Sequence, residues 1–128
     1  MKKILKKSMS TPDETRTFDK GKVEIVKIGN VTFGRATLEP GWKWSECVKP
    51  LVKTKSCMAG HTQYIISGEM HIVMDDGTEL DVSAGDALIL PPGHNAWVVG
   101  NEPVVAIDFT GMTHYAQPRK AAKKQLRR

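Results

Sequence analysis

Residues 61–100 read HTQYIISGEM HIVMDDGTEL DVSAGDALIL PPGHNAWVVG, and the fold is decided here. Short runs rich in Val, Ile and Leu at 61–67, 70–74, 78–82, 87–90 and 95–99 are separated by Gly68-Glu69, Asp75-Asp76-Gly77, Ser83-Ala84-Gly85-Asp86 and Pro91-Pro92-Gly93. Gly accepts positive φ, Pro presets φ, and Asp or Ser can bond its own backbone, so each separator reads as a turn. The runs recur about every eight to ten residues, the spacing of an all-β sandwich or barrel.

The pattern extends in both directions. Upstream, 23–28 and 31–38 are rich in β-branched residues and flank Gly29-Asn30, a two-residue hairpin turn. Pro40-Gly41 ends that unit, and the following stretch, which contains Trp42, Trp44, Cys47 and Pro50, has no clear period. Residues 49–60 are therefore read as an excursion from the barrel. Downstream, 104–110 supplies the last run, after Gly100-Asn101-Glu102-Pro103. No helix is expected before the tail. The division is an N-terminal arm, 1–17, a barrel, 18–117, and a basic tail, 118–128, with the arm loose or forming an edge strand.

With 128 residues, 40% hydrophobic and 26% charged, the composition is that of one globular domain, and no apolar run approaches the roughly 20 residues of a membrane-spanning helix. The net charge of +5 belongs to the ends: residues 1–7 carry four lysines and 119–128 carry six Lys and Arg, while the body between is net negative. Such a tail binds nucleic acid or an acidic partner weakly and with strong salt dependence. It lacks aromatic residues to select a base, so a solubilising tail is the preferred reading and nucleic acid is not the expected partner. The positive start has no apolar segment behind it, so a cytoplasmic protein is expected. Two cysteines, Cys47 and Cys57, are too few for a disulfide framework and read as thiols.

Gly85, Pro91 and Gly93 fall at the spacings of the second motif of the cupin family, and Tyr64-Ile65-Ile66-Ser67-Gly68 resembles the end of its first. With Met74-Asp75-Asp76-Gly77-Thr78 the likeness covers about fifty residues. It implies an all-β jelly roll, the double-stranded β-helix barrel. Pro12-Asp13-Glu14-Thr15-Arg16, Gly41-Trp42-Lys43-Trp44-Ser45 and Pro91 through Trp97 further resemble small single-domain bacterial cupins with no assigned reaction. A homodimer is implied by the same resemblance.

Metallo-cupins bind one divalent ion through three His and one Glu, and the motif positions here depart from that set. His61 stands in the place of the Glu and Ala96 in that of the last His. His94, two residues before Ala96, shares its face if the strand already runs there, and would substitute for the missing imidazole. The His-x-His pair falls on Cys47 and Lys49 counted from Gly41, or on Lys55 and Cys57 counted back from His61. Neither choice supplies a histidine, and the excursion leaves both open.

His61, His94 and one or both of Cys47 and Cys57 are thus the candidate metal ligands. This donor set suits zinc, iron or copper rather than magnesium or calcium. With a metal, the chemistry implied by the resemblance is that of an oxygenase or isomerase acting on a small metabolite. Without one, the barrel is a ligand-binding or regulatory pocket anchored by His61, Gln63 and His94, with Trp44 and Tyr64 as further ligand-binding candidates. Trp42, Trp44 and Trp97 either shape the mouth or a subunit contact, or pack the core, the preferred reading. Met70 and Met74 read as core fillers and Asp75-Asp76-Gly77 as a hairpin turn rather than a calcium loop.

Overall fold

Turn residues cut the chain into nine strands: β1 (Glu14–Phe18), β2 (Gly21–Ile28), β3 (Val31–Leu38), β4 (His61–Ser67), β5 (Glu69–Met74), β6 (Glu79–Ser83), β7 (Ala87–Leu90), β8 (His94–Val99) and β9 (Val104–Asp108). The computed structural model describes residues 2–118. The turns are thus legible strand by strand, and residues 119–128, most of the basic tail, lie outside the described residues. β1 is an edge strand, as one reading of the arm expected.

The strands form two antiparallel sheets, ordered β1-β2-β3-β9-β4-β7 and β6-β5-β8. In the β2–β3 hairpin Ile28 pairs with Val31 and Gly29 has φ +57°, the positive value a two-residue turn asks of its first central residue. Side chains alternate across each strand, and the inward set, including Val23, Ile25, Ile65, Ile72 and Val104, meets in one buried cluster between the sheets. Met70 is buried there and Met74 packs against it. Gly85 and Gly93 both have φ +95°, so the two motif glycines occupy backbone that other residues rarely adopt.

The excursion departs from the sequence expectation of no helix. One single turn, α1 (Trp44–Cys47), lies just before it and a second, α2 (Lys49–Val52), lies within it. Pro50 sits in the first turn of α2, where its fixed φ fits and its missing N–H costs nothing, and Lys53 stops the turn in the left-handed region at φ +60°. These turns are too short to announce themselves by periodicity. Trp44, Cys47 and Val48 anchor them in the core.

After β9 the chain folds back over the barrel as a strap, 109–118. Met112 is 1% exposed and lies against Gly34, where any side chain would collide with it. Arg16 pins the strap: Nη1 donates to the carbonyls of Met112 (3.1 Å) and Tyr115 (2.6 Å), and Nη2 to that of Thr113 (2.9 Å). Glu14 accepts from Arg16 Nε at 2.7 Å and offsets its charge.

Candidate metal centre

Alternation along β4 turns His61 and Gln63 inward, and β8 begins with His94 inward. Cys57 reaches them through backbone pairing. Its N–H donates to the His94 carbonyl at 2.8 Å and its carbonyl accepts from Gly93 at 2.7 Å, so the end of the excursion is laced to the start of β8. One donor atom each from Cys57, His61 and His94 then lies within 4.8 Å of the others, all three residues being buried.

Hydrogen bonds decide which atoms face the centre. His61 Nδ1 donates to Asp108 Oδ2 at 2.5 Å, which turns Nε2 toward Cys57 Sγ, 3.9 Å away. His94 Nδ1 lies 2.8 Å from the Pro91 carbonyl. A carbonyl only accepts, so Nδ1 is the donor in that bond and Nε2 is the ring atom left for the centre. A carboxylate or carbonyl behind each imidazole is the arrangement that orients histidines on a metal. One thiolate and two imidazoles with a fourth position open fit a zinc-like divalent ion.

Asp108 anchors the centre. It is fully buried, and Gln63 Nε2 (3.0 Å) and the N–H groups of Thr110 (2.9 Å) and Gly111 (2.6 Å) add to the bond from His61. Burial pushes its carboxyl up, but the His61 imidazole and these donors outweigh burial and hold it below the usual value. Burial pushes His61 down, and Asp108 with Cys57 reverses that and raises it. Burial pushes the Cys57 thiol up, and His61 and His94 pull it below its ordinary value. The group therefore favours a thiolate beside an imidazolium. A metal ion held by these residues would displace the proton they share.

The other sequence candidates separate cleanly. Cys47, at the end of α1, lies 3.8 Å from Asp19 Oδ2 and burial raises its thiol, so it is outside the cluster. Tyr64, a ligand-binding candidate, does not face the barrel interior: strand alternation puts it on the outer face of β4, 46% exposed. Gln63 stays inside, and Trp44 is a buried wall. Trp42 is also core, whereas Trp97 sits on the outer face of β8, its ring 4.9 Å from that of His71. Asp108 escaped sequence reading, although its place at the inward end of the alternating Val104, Ala106, Asp108 series was the available signal.

Two spaces adjoin the centre. Inside the barrel a void of about 30 Å³ is lined by residues including His61, Gln63, His94, Trp42 and Met112. It has room for a water or two, matching the unpartnered buried atoms Trp42 Nε1 and Gln63 Oε1. Between the excursion and the strap a mouth pocket of about 380 Å³ is lined by Cys57 together with residues of both segments. Trp44 and Tyr115 line both spaces and form the partition.

Residues 38–107, more than half of the chain, match the family model described as an EutQ-like cupin domain, and the protein belongs to that family. Its barrel is similar to that of Lactobacillus farciminis oxalate decarboxylase, solved as a formate complex (TM-score 0.58, 17% identity, 80% of this chain and 32% of that one). A Rhizobium leguminosarum protein of unknown function aligns over 86% of this chain and 98% of its own (TM-score 0.57, 15% identity). A Klebsiella pneumoniae protein with a double-stranded β-helix domain aligns over 84% of each chain (TM-score 0.53, 21% identity). These likenesses carry the fold. The chain spans about a third of the length of the oxalate decarboxylases it matches. No curated protein matches the sequence. Among the described residues no helix is long and apolar enough to cross a membrane.

Proposed function

We propose that this cupin holds one divalent transition metal on Cys57, His61 and His94 and binds a small molecule in the adjoining mouth pocket. Zinc, iron and copper all accept this donor set, and the one thiolate with two imidazoles favours zinc. The convergence of the three buried donor atoms within 4.8 Å carries the reading. A bound ion would supply Lewis acidity to a substrate oxygen or water. The chain does the rest: Asp108 fixes the His61 ring, Pro91 fixes that of His94, and Trp44 and Tyr115 exclude bulk water from the barrel side. Isomerase or oxygenase chemistry on a small metabolite in the cytoplasm remains within this proposal. Oxalate, named for the decarboxylase neighbours, is not carried over, because among the described residues no Lys or Arg lines either space.

Elemental analysis of untagged protein tests the centre. About one equivalent of metal is expected, retained in Cys47→Ser and lost in Cys57→Ser and His94→Ala. No metal in the wild type after reconstitution sinks the reading. A metal-free reading is favoured by one observation: Cys57 lines the mouth pocket while His61 and Asp108 stand behind it in series. That series makes Cys57 a proton-linked thiol, and in metal-free protein it predicts faster alkylation by iodoacetamide at Cys57 than at Cys47. The homodimer stays in the proposal too. Tyr64, Ile66 and Ile89 are exposed on or beside edge strand β7, and light scattering is its test.

A further inference from the structure

The barrel void of about 30 Å³ is too small for a metabolite, so a ligand that meets the centre must lie in the mouth pocket. That pocket has about 380 Å³, the size of an ordinary small-molecule site. Its lining contains no Lys, Arg, Asp or Glu among the described residues. Val48 and, from the excursion, Val52 and Met58 form one side, and the strap contributes Tyr115 and Ala116. Polar capacity comes from the hydroxyls of Thr54, Thr110 and Thr113 and from His114. Met58 is 58% exposed, a flexible apolar side chain held at the rim.

A carboxylate moved against such a wall loses water and finds no Lys or Arg to replace it, whereas an uncharged group needs one or two hydrogen bonds. We infer that the pocket takes an uncharged, largely apolar small molecule that turns a single polar group toward Cys57. The inference rests on the mouth pocket being the ligand site of the proposed function. It concerns the wall of the pocket in metal-free protein: a divalent ion on Cys57 would add a counter-charge at the inner end, which is why metal content is measured on the test sample.

Benzamide and benzoate make the test, since they share shape and differ in charge. Each is titrated into isotope-labelled full-length protein, with metal content measured on the same sample, while amide shifts are followed by NMR. Benzamide is expected to bind at least tenfold more tightly than benzoate and to shift Gly60, Gly111 and Thr113. Val52→Trp, which fills the pocket from α2, is expected to abolish that binding, and Thr110→Trp does the same from the strap side on an exposed residue. The spectra also report whether each variant is folded. Equal or tighter binding of benzoate, blocked by the fillers, overturns the ligand class and leaves the pocket standing. Benzamide binding untouched in a folded filler variant overturns the pocket itself. So does no detectable benzamide binding at about 10 mM, the range expected of so small a probe.

Discussion

His61 and His71 are both held by carboxylates, yet only His61 belongs to the candidate centre. His71 lies on the outer face of β5, its Nδ1 2.6 Å from Asp81 and its Nε2 2.7 Å from Glu79, with both acids more than half exposed. Both ring nitrogens are spent on carboxylates, so no lone pair is left for a metal or substrate. His61 spends one nitrogen on buried Asp108 and turns the other into a closed space beside a thiol and a second imidazole. Carboxylate pairing alone therefore marks nothing. A nitrogen not spent on a carboxylate, in a desolvated and convergent setting, is what distinguishes the centre.

The contrast breaks most visibly at the acids. Asp108→Ala leaves His61, Gln63 and two backbone N–H groups facing an empty position, and is expected to cost about 3–5 kcal/mol by urea denaturation. Asp81→Ala at the exposed pair should cost far less in the same experiment. A comparable loss at both positions would show that burial does not separate the two clusters. Next in size is Gly111→Ala. Its Cβ would run into His61 Nδ1 and the Gly60 carbonyl, and the backbone neighbour cannot step aside. A destabilisation of about 1–3 kcal/mol is expected, together with loss of bound metal.

The smallest effect belongs to His71→Ala and carries a pH signature. Hydrogen bonds to Asp81 and Glu79 raise His71 above its ordinary 6.5 in the folded chain. A raised histidine contributes stability that is complete below its unfolded value and fades as pH rises through the folded one. The melting-temperature gap between wild type and His71→Ala is thus expected to be larger near pH 6 than near pH 9. Metal content should not change in this variant. An unchanged gap across that range would remove the ion pair as a source of stability.

These clusters also show what sequence patterns reveal. The strands were legible because each ends on residues whose backbone preferences are local: Gly68, Gly77, Gly85 and Gly93 all adopt positive φ. His61 and His94 followed from fixed spacings to those glycines. The choice between Cys47 and Cys57 was not local, because it rests on the pairing of Cys57 with the His94 backbone across a segment of single helical turns. Asp108, 47 residues from the ring it orients, left only a face assignment as a clue. Strand alternation was legible too: inward His61 and Gln63 place Tyr64 outside.

Arg16 has a consequence in time rather than space. Its bonds to Met112 and Tyr115 join residues 96 and 99 positions apart, so the first strand cannot complete its contacts until nearly the whole described chain exists. Pairings this distant pay their loop-closure entropy before they return any stabilisation. During synthesis on a ribosome the guanidinium of Arg16 must wait, solvated, while every other strand emerges. The strap is therefore among the last parts to close, and a partly made chain has the histidines of the centre but not yet its Tyr115 wall.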